Sequence, residues 1–491
     1  MTASSHDQAR TESASVPPPE CPAHARAVNG DGVARLFGPE AVHDAPGFYE
    51  RLRAEHGPVA PVLVDGDLPA WLVLGYRENL EVARTPSRFS RDPRLWHCFQ
   101  ENKVAADSPL RPAIAWQPVC LFLDGEEHER LRAALTDSIA RFDRRGMRRS
   151  VTHFANQLID EFAGDGVADL VSQFGEQLPL RVITQLVGMS DESSPQLVEA
   201  INDLLKGTET AFKSNEYVVE ALHDLVQRKR ATPANDFTSW LFSHPAELTD
   251  EEVLQHVRIV LLAANVNTIN LMVSTMRMVL TDPRFRASLT GGRMTLPDAL
   301  EQMLWDEPPT AVVPARWATG DTELAGQSIK AGDMLLLGLS AGNSDPAIRP
   351  DLSVPMHGNR SHLAFSGGPH ECPGQDISRA IADTGIDVLL MRLPDIDLAV
   401  PESELKWVST WIHRHLTALP VKFAQSCPGV LPVSSSATGD GQSKRPFPGS
   451  TARSTDGTDE TSEPASAAVS PGRRSSWWGS LKGWLRGTQP R

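Results

Sequence analysis

Between about residues 32 and 423, apolar positions recur mostly at intervals of three and four, the spacing of amphipathic helices. The pattern predicts helices over 146–163, 179–188, 195–206, 215–229 and 249–282. Two short apolar runs at 70–74 (Ala-Trp-Leu-Val-Leu) and 333–337 (Asp-Met-Leu-Leu-Leu) read as buried strands. The expected fold is therefore mainly α with small β-sheets. The stretch 249–282 is the most apolar, but Asn265, Asn267 and Asn270 interrupt it. Amides are costly in hydrocarbon, so it reads as a buried core helix and not a membrane span. No internal repeat is visible.

Outside this body the pattern fails. Residues 1–31 carry Ser, Ala and Pro with no apolar stretch of signal-peptide type, and 425–470 are rich in Ser, Gly, Thr and Pro. Both are expected to be disordered, flanking one folded unit over 32–424. The final segment, 471–491, differs: Trp477, Trp478, Leu481, Trp484 and Leu485 fall on one helical face, with basic residues around them and no acid. That suits an interfacial helix on anionic lipid or a docking peptide, while Gly479, Gly483 and Gly487 oppose a stable helix in water and leave a disordered, sticky tail equally open.

Charge and cysteine usage narrow the function. A formal charge of −15 argues against a nucleic-acid partner, which needs a basic face. Cys21, Cys98, Cys120, Cys372 and Cys427 show no paired spacing for a disulfide framework or a zinc site, which points to a reducing, cytoplasmic setting. Cys372 alone sits in an informative context, His362-Leu-Ala-Phe-Ser-Gly-Gly-Pro-His-Glu-Cys-Pro-Gly-Gln375. A thiolate that ligates iron needs backbone donors and shelter from water. Gly367, Gly368 and Gly374 allow the loop to turn, and Phe365 can cover the sulfur.

This segment resembles the haem-binding signature of the cytochrome P-450 superfamily. The likeness extends over most of the body. It implies haem b (iron protoporphyrin IX) held between a distal I helix and a proximal Cys loop, with Cys372 as axial ligand. Leu123-Asp-Gly-Glu-Glu-His-Glu-Arg-Leu-Arg132 is similar to the family's C helix, which makes His128 and Arg132 propionate partners; their i, i+4 spacing puts them on one face. By the same resemblance Arg316, in Pro314-Ala-Arg316, and His370 join them, four cations around two carboxylates. Phe365 and Gly374 complete the expected haem contacts.

Two departures from the family pattern matter, and a third point is Pro373, a residue the family also carries at this position. Where the K helix carries Glu-x-x-Arg, ungapped alignment gives Gln302 and Trp305; with Glu301 as the acid, Leu304 falls at the Arg position. The meander Arg aligns near His357, with Arg360 the nearest arginine. Losing one ion of a buried triad costs about 3–5 kcal/mol, whereas replacing all need not, so a neutral packing arrangement of Gln302, Trp305 and His357 is expected. Glu301-Gln-Met-Leu-Trp305 is similar to a bacterial soluble subgroup with Glu-Gln-x-Leu-Trp. In the I helix the family's acid–alcohol pair becomes Val266 and Asn267, or Asn267 and Thr268 in the register shifted by one, so either lacks a carboxylate. These polar groups either hold relay water or plug a helix distortion. Pro373 removes an N–H that would otherwise point at the sulfur.

The resemblance implies a monooxygenase that oxidises a small apolar molecule with dioxygen and electrons from a ferredoxin and its reductase. The competing reading is a haem-binding protein with weak or peroxide-driven chemistry, acting as a sensor or interaction partner. Trp96, Phe99 and Trp116 in the segment 93–117 suggest an aromatic roof over the substrate, and core packing explains them as well.

Overall fold

The computed structural model describes residues 33–425 apart from 106–107, 109, 111–113, 191–193, 207–209, 283–284, 286–294 and 357. The expectations for the N-terminal segment, Cys21, His357, Cys427, the linker and the tail fall outside these residues.

Six helices carry the site: α1 (Gly125–Ala140), α2 (Arg144–Phe162), α3 (Leu178–Val187), α4 (Asp250–Thr281), α5 (Leu296–Asp306) and α6 (Gln375–Arg392). The start of α2 lies before the predicted boundary because Asp143 caps it, accepting from the Arg145 and Gly146 amides. Arg144 and Arg145 have no apolar signal to announce that turn. The α4 helix begins with a capping box in which Thr249 and Glu252 exchange side-chain and backbone bonds. From there it is helical without interruption to Thr281. It packs on α3, α5 and α6 around a core that includes the fully buried Phe162, Phe174, Leu178, Met272 and Leu304. The helix is long and apolar enough to cross a membrane by composition alone, but much of its surface is covered by the protein.

The two predicted strands join one six-stranded sheet. Its members are β1 (Ala34–Arg35), β2 (Val59–Val64), β3 (Leu68–Val73), β4 (Phe89–Ser90), β5 (Val312–Ala318) and β6 (Met334–Gly338), in the spatial order β1-β2-β3-β6-β5-β4. Every residue of β2 and β3 is buried, which explains their unbroken apolar runs. The β5–β6 register shifts between Val313 and Arg316, where Ala315 adopts φ 79°. Such a bulge re-aims the side chains beside it, and Arg316 emerges there.

Candidate functional site

The Cys372 loop closes on itself before it enters α6. The Cys372 amide donates to the Phe365 carbonyl at 3.0 Å. Of the three glycines expected to need special backbone angles, only Gly368 has positive φ, at 69°. A Cβ there would lie 2.4 Å from the Ala83 carbonyl oxygen, so the loop sits too close to its neighbour for a side chain. Ser366 also occupies the left-handed region, at φ 59°, with its hydroxyl buried and unpartnered. Burial pushes the Cys372 thiol up; the Gly374 amide, Arg132 and Arg379 act against it.

Around this loop lie the expected basic residues. His128, 3 % exposed, stacks on His370 with ring centroids 4.2 Å apart. Arg132, one turn along α1, bonds the Glu371 carbonyl. Arg316 is buried beside Arg91, which the sequence reading missed. Arg91 is anchored by the carbonyls of Leu121, Pro314 and Ala315 at 3.1, 2.8 and 2.5 Å. No spacing in the chain singles it out; the signal is the pairing of β4 with β5, which brings the two arginines together. Asp124 was also missed. It accepts from His370 Nε2 at 3.1 Å, Ser90 Oγ at 2.5 Å and the Arg91 amide at 2.9 Å. The expected quartet of cations therefore needs correction: His370 faces an internal carboxylate, and burial draws its pKa down to about 3 against the pull of Asp124. The fixed positive charges are Arg91, Arg132 and Arg316.

These residues fit the dianionic edge of a haem. Among the described residues, neither Arg91 nor Arg316 has a carboxylate within 4.0 Å of its guanidinium, and His128 Nε2 is buried without a partner. Buried donors in this state are stabilised by a carboxylate arriving with the cofactor.

The α5 helix shows how the missing Glu-x-x-Arg pattern is replaced. Gln302 accepts from the Met356 amide at 2.6 Å, and Trp305 Nε1 donates to the Asn359 carbonyl at 2.8 Å. Neutral bonds thus tie α5 to the segment before the Cys loop. A charged network survives beside them, contrary to the expectation that none would. Glu301, 3 % exposed, pairs with Arg379 at 2.6 Å, with His362 at 3.0 Å and with Arg360 at 3.5 Å. The arginine simply comes from α6 and not from α5. Burial would raise the Glu301 carboxyl, but bonds from His362 and Arg379 override it and hold it at about 2.

Above the loop, Cys372, Phe365, Ala263, Ala264, Asn267 and Thr268 share one cavity of about 340 Å³, within the range of small-molecule sites. The two I-helix registers are distinguished by their contacts. Thr268 is 1 % exposed and within 2.9 Å of Ser378 Oγ on α6, whereas Asn267 opens onto the cavity. Val266 does not line it, and no described carboxylate does. The aromatic roof is not formed. Trp96 is fully buried in the core against the six-stranded sheet, Phe99 packs on the same cluster, and Trp116 is 39 % exposed under Arg94. None of the three lines the cavity, whose walls are apolar and come from elsewhere: Val119, Leu121, Phe142, Ile183, Leu186, Phe237 and Val313.

No family model matches the chain. Individual proteins do. Cytochrome P450-SU2 of Streptomyces griseolus is 30 % identical over 384 residues, covering 77 % of this chain and 93 % of that protein. The 2-hydroxy-5-methyl-1-naphthoate 7-hydroxylase of Streptomyces carzinostaticus is 29 % identical over 391 residues, covering 77 % and 95 %. Among solved structures, CYP154C4 from Streptomyces sp. W2061 superposes with a TM-score of 0.71 at 27 % identity, covering 81 % of this chain and 98 % of that one. With a thiol, an apolar wall and a cluster of arginines arranged around one void, and with relatives of this extent, the chain belongs to the cytochrome P450 superfamily: a haem b monooxygenase of bacterial type.

Proposed function

We propose that Cys372 ligates the haem iron as thiolate and that His128, Arg132 and Arg316, with Arg91, hold the propionates. Phe365, His370 and Gly374 shape the proximal loop. The observation that carries this is that the Cys372 thiol, Arg91, Arg132 and Arg316 line one cavity, with the unpartnered Nε2 of His128 on a ring packed against His370 of the same lining. When bound, the haem supplies dioxygen activation and the oxidation of an unactivated carbon. The chain contributes an apolar wall, aliphatic with Phe142 and Phe237, that binds and orients an apolar substrate and excludes water. Relatives named for oxidising a hydroxymethylnaphthoate, mycinamicin IV and vitamin D(3) support a bulky, mainly apolar substrate. Asn267, with Thr268 behind it, is the group that holds a proton-bearing water at the distal face.

Electrons come from a ferredoxin-type partner in the cytoplasm. What supports an acidic donor is the row Arg144, Arg148 and Arg149 on α2, whose side chains are 90, 62 and 75 % exposed and whose surface partners Asp376, Asp387 and Asp143 an acidic protein would displace. The absence of a described carboxylate from the cavity wall favours peroxide as a competent oxidant, because peroxide brings its own protons and electrons. The test is product formed per NAD(P)H consumed with a surrogate ferredoxin system, set beside product formed with hydrogen peroxide. Poor coupling with dioxygen and good peroxide turnover are expected; tight coupling would remove the peroxide reading.

A further inference from the structure

Asn267 does not stand alone on the distal wall. Its Nδ2 donates to the Ala263 carbonyl at 3.1 Å, and its Oδ1 accepts from Thr310 Oγ1 at 2.9 Å. The Ala263 oxygen can only accept, which fixes the amide orientation, and the Thr310 hydroxyl proton is then spent on Oδ1. One Nδ2 hydrogen and the lone pairs of Thr310 Oγ1 remain. Both residues line the cavity. Of the other polar groups on its wall, Thr268 is engaged with Ser378, the arginines and His370 lie in the basic cradle beneath, and the Ser366 hydroxyl belongs to the Cys loop. Val260, Ala264, Pro309 and Val313 supply apolar surface to the same cavity.

We infer that Asn267 and Thr310 form a hydrogen-bonding anchor that selects an apolar ring substrate carrying a hydroxyl group. This deepens the monooxygenase reading and rests on it. A hydroxyl satisfies both sides of the dyad, accepting from Nδ2 and donating to Thr310 Oγ1. A ketone satisfies only the donor. A hydrocarbon covers both groups and satisfies neither, which is the arrangement that discriminates most strongly between otherwise similar ligands.

The test is calorimetric titration of the haem-loaded full chain with decalol, decalone and decalin, which share one skeleton. Decalol is expected to bind on the order of tenfold tighter than decalin, with decalone between them. In Asn267→Leu and in Thr310→Val that preference should collapse towards unity while decalin binds at least as well as to the unaltered protein. A decalol that binds no better than decalin, or a preference that survives in both variants, overturns the anchor. The carbon monoxide spectrum of the same reduced samples separates the two levels. A thiolate-type band without hydroxyl discrimination defeats the anchor alone, whereas its loss from the unaltered protein defeats the monooxygenase reading and the anchor with it.

Discussion

Glu301 carries the largest electrostatic load of any residue described in the Cys loop's support. Its carboxylate meets Arg379, His362 and Arg360, and it stays ionised although nearly inaccessible. Because its folded pKa of about 2 lies below the ordinary value of 4.5, its contribution is complete above about pH 4.5 and is lost as pH falls towards 2. Glu301→Gln should cost about 3 kcal/mol at neutral pH, since it leaves Arg379 buried without its counter-charge. Urea unfolding across that pH interval should show the difference shrinking as the native carboxylate protonates. Ser366 offers a test in the opposite direction. Ser366→Gly relieves a left-handed backbone and removes an unpartnered buried hydroxyl, so urea unfolding should report a gain of about 1 kcal/mol with haem binding retained. At this scale the chain disclosed its rare chemistry and hid its pairings. Cys372 stands in a recognisable segment, whereas Arg91, Asp124 and Thr310 are ordinary residues in ordinary surroundings until the sheet and the helices bring them together.

Among the elements, α5 shows how one fold requirement is met by other means. Its Gln302 and Trp305 bond backbone groups of the segment that leads to the Cys loop, while Glu301 faces α6. Gln302→Ala or Trp305→Ala should lower haem retention after gel filtration, because each strands a partner in that segment. Gln302→Glu with Trp305→Arg should not restore a better site. It would set a second acid beside Glu301 and Asp306, and remove the bonds that Gln302 Nε2 gives Asp306 and Trp305 Nε1 gives Asn359. A gain in haem retention by that pair would contradict the replacement. Helices such as α4 were legible because periodicity records burial, and β3 because both its faces are covered and its apolar run is unbroken. Helix starts such as that of α2 were read too late, since caps and charged first turns have no apolar period. The aromatic roof was misread because Trp96 would be apolar in either place, and only the path of the chain over the sheet decides which.

For the whole molecule, one feature acts independently of the haem core. The segment 471–491 combines three of the eleven tryptophans with basic residues and no acid in a chain of net charge −15. Deleting it should leave the haem spectrum intact and abolish binding to anionic vesicles, and binding by the full chain should weaken as salt rises. Equal vesicle binding by both chains would remove the membrane role. The core itself stands on a single claim, that the convergence of cavity, basic cradle and loop exists to hold a haem through Cys372. The most direct measurement is the absorption spectrum of the reduced, carbon monoxide-bound protein, with and without Cys372→Ser. A thiolate-type band in the unaltered protein that disappears in the variant is the predicted result; a band that persists without the Cys372 sulfur would contradict it.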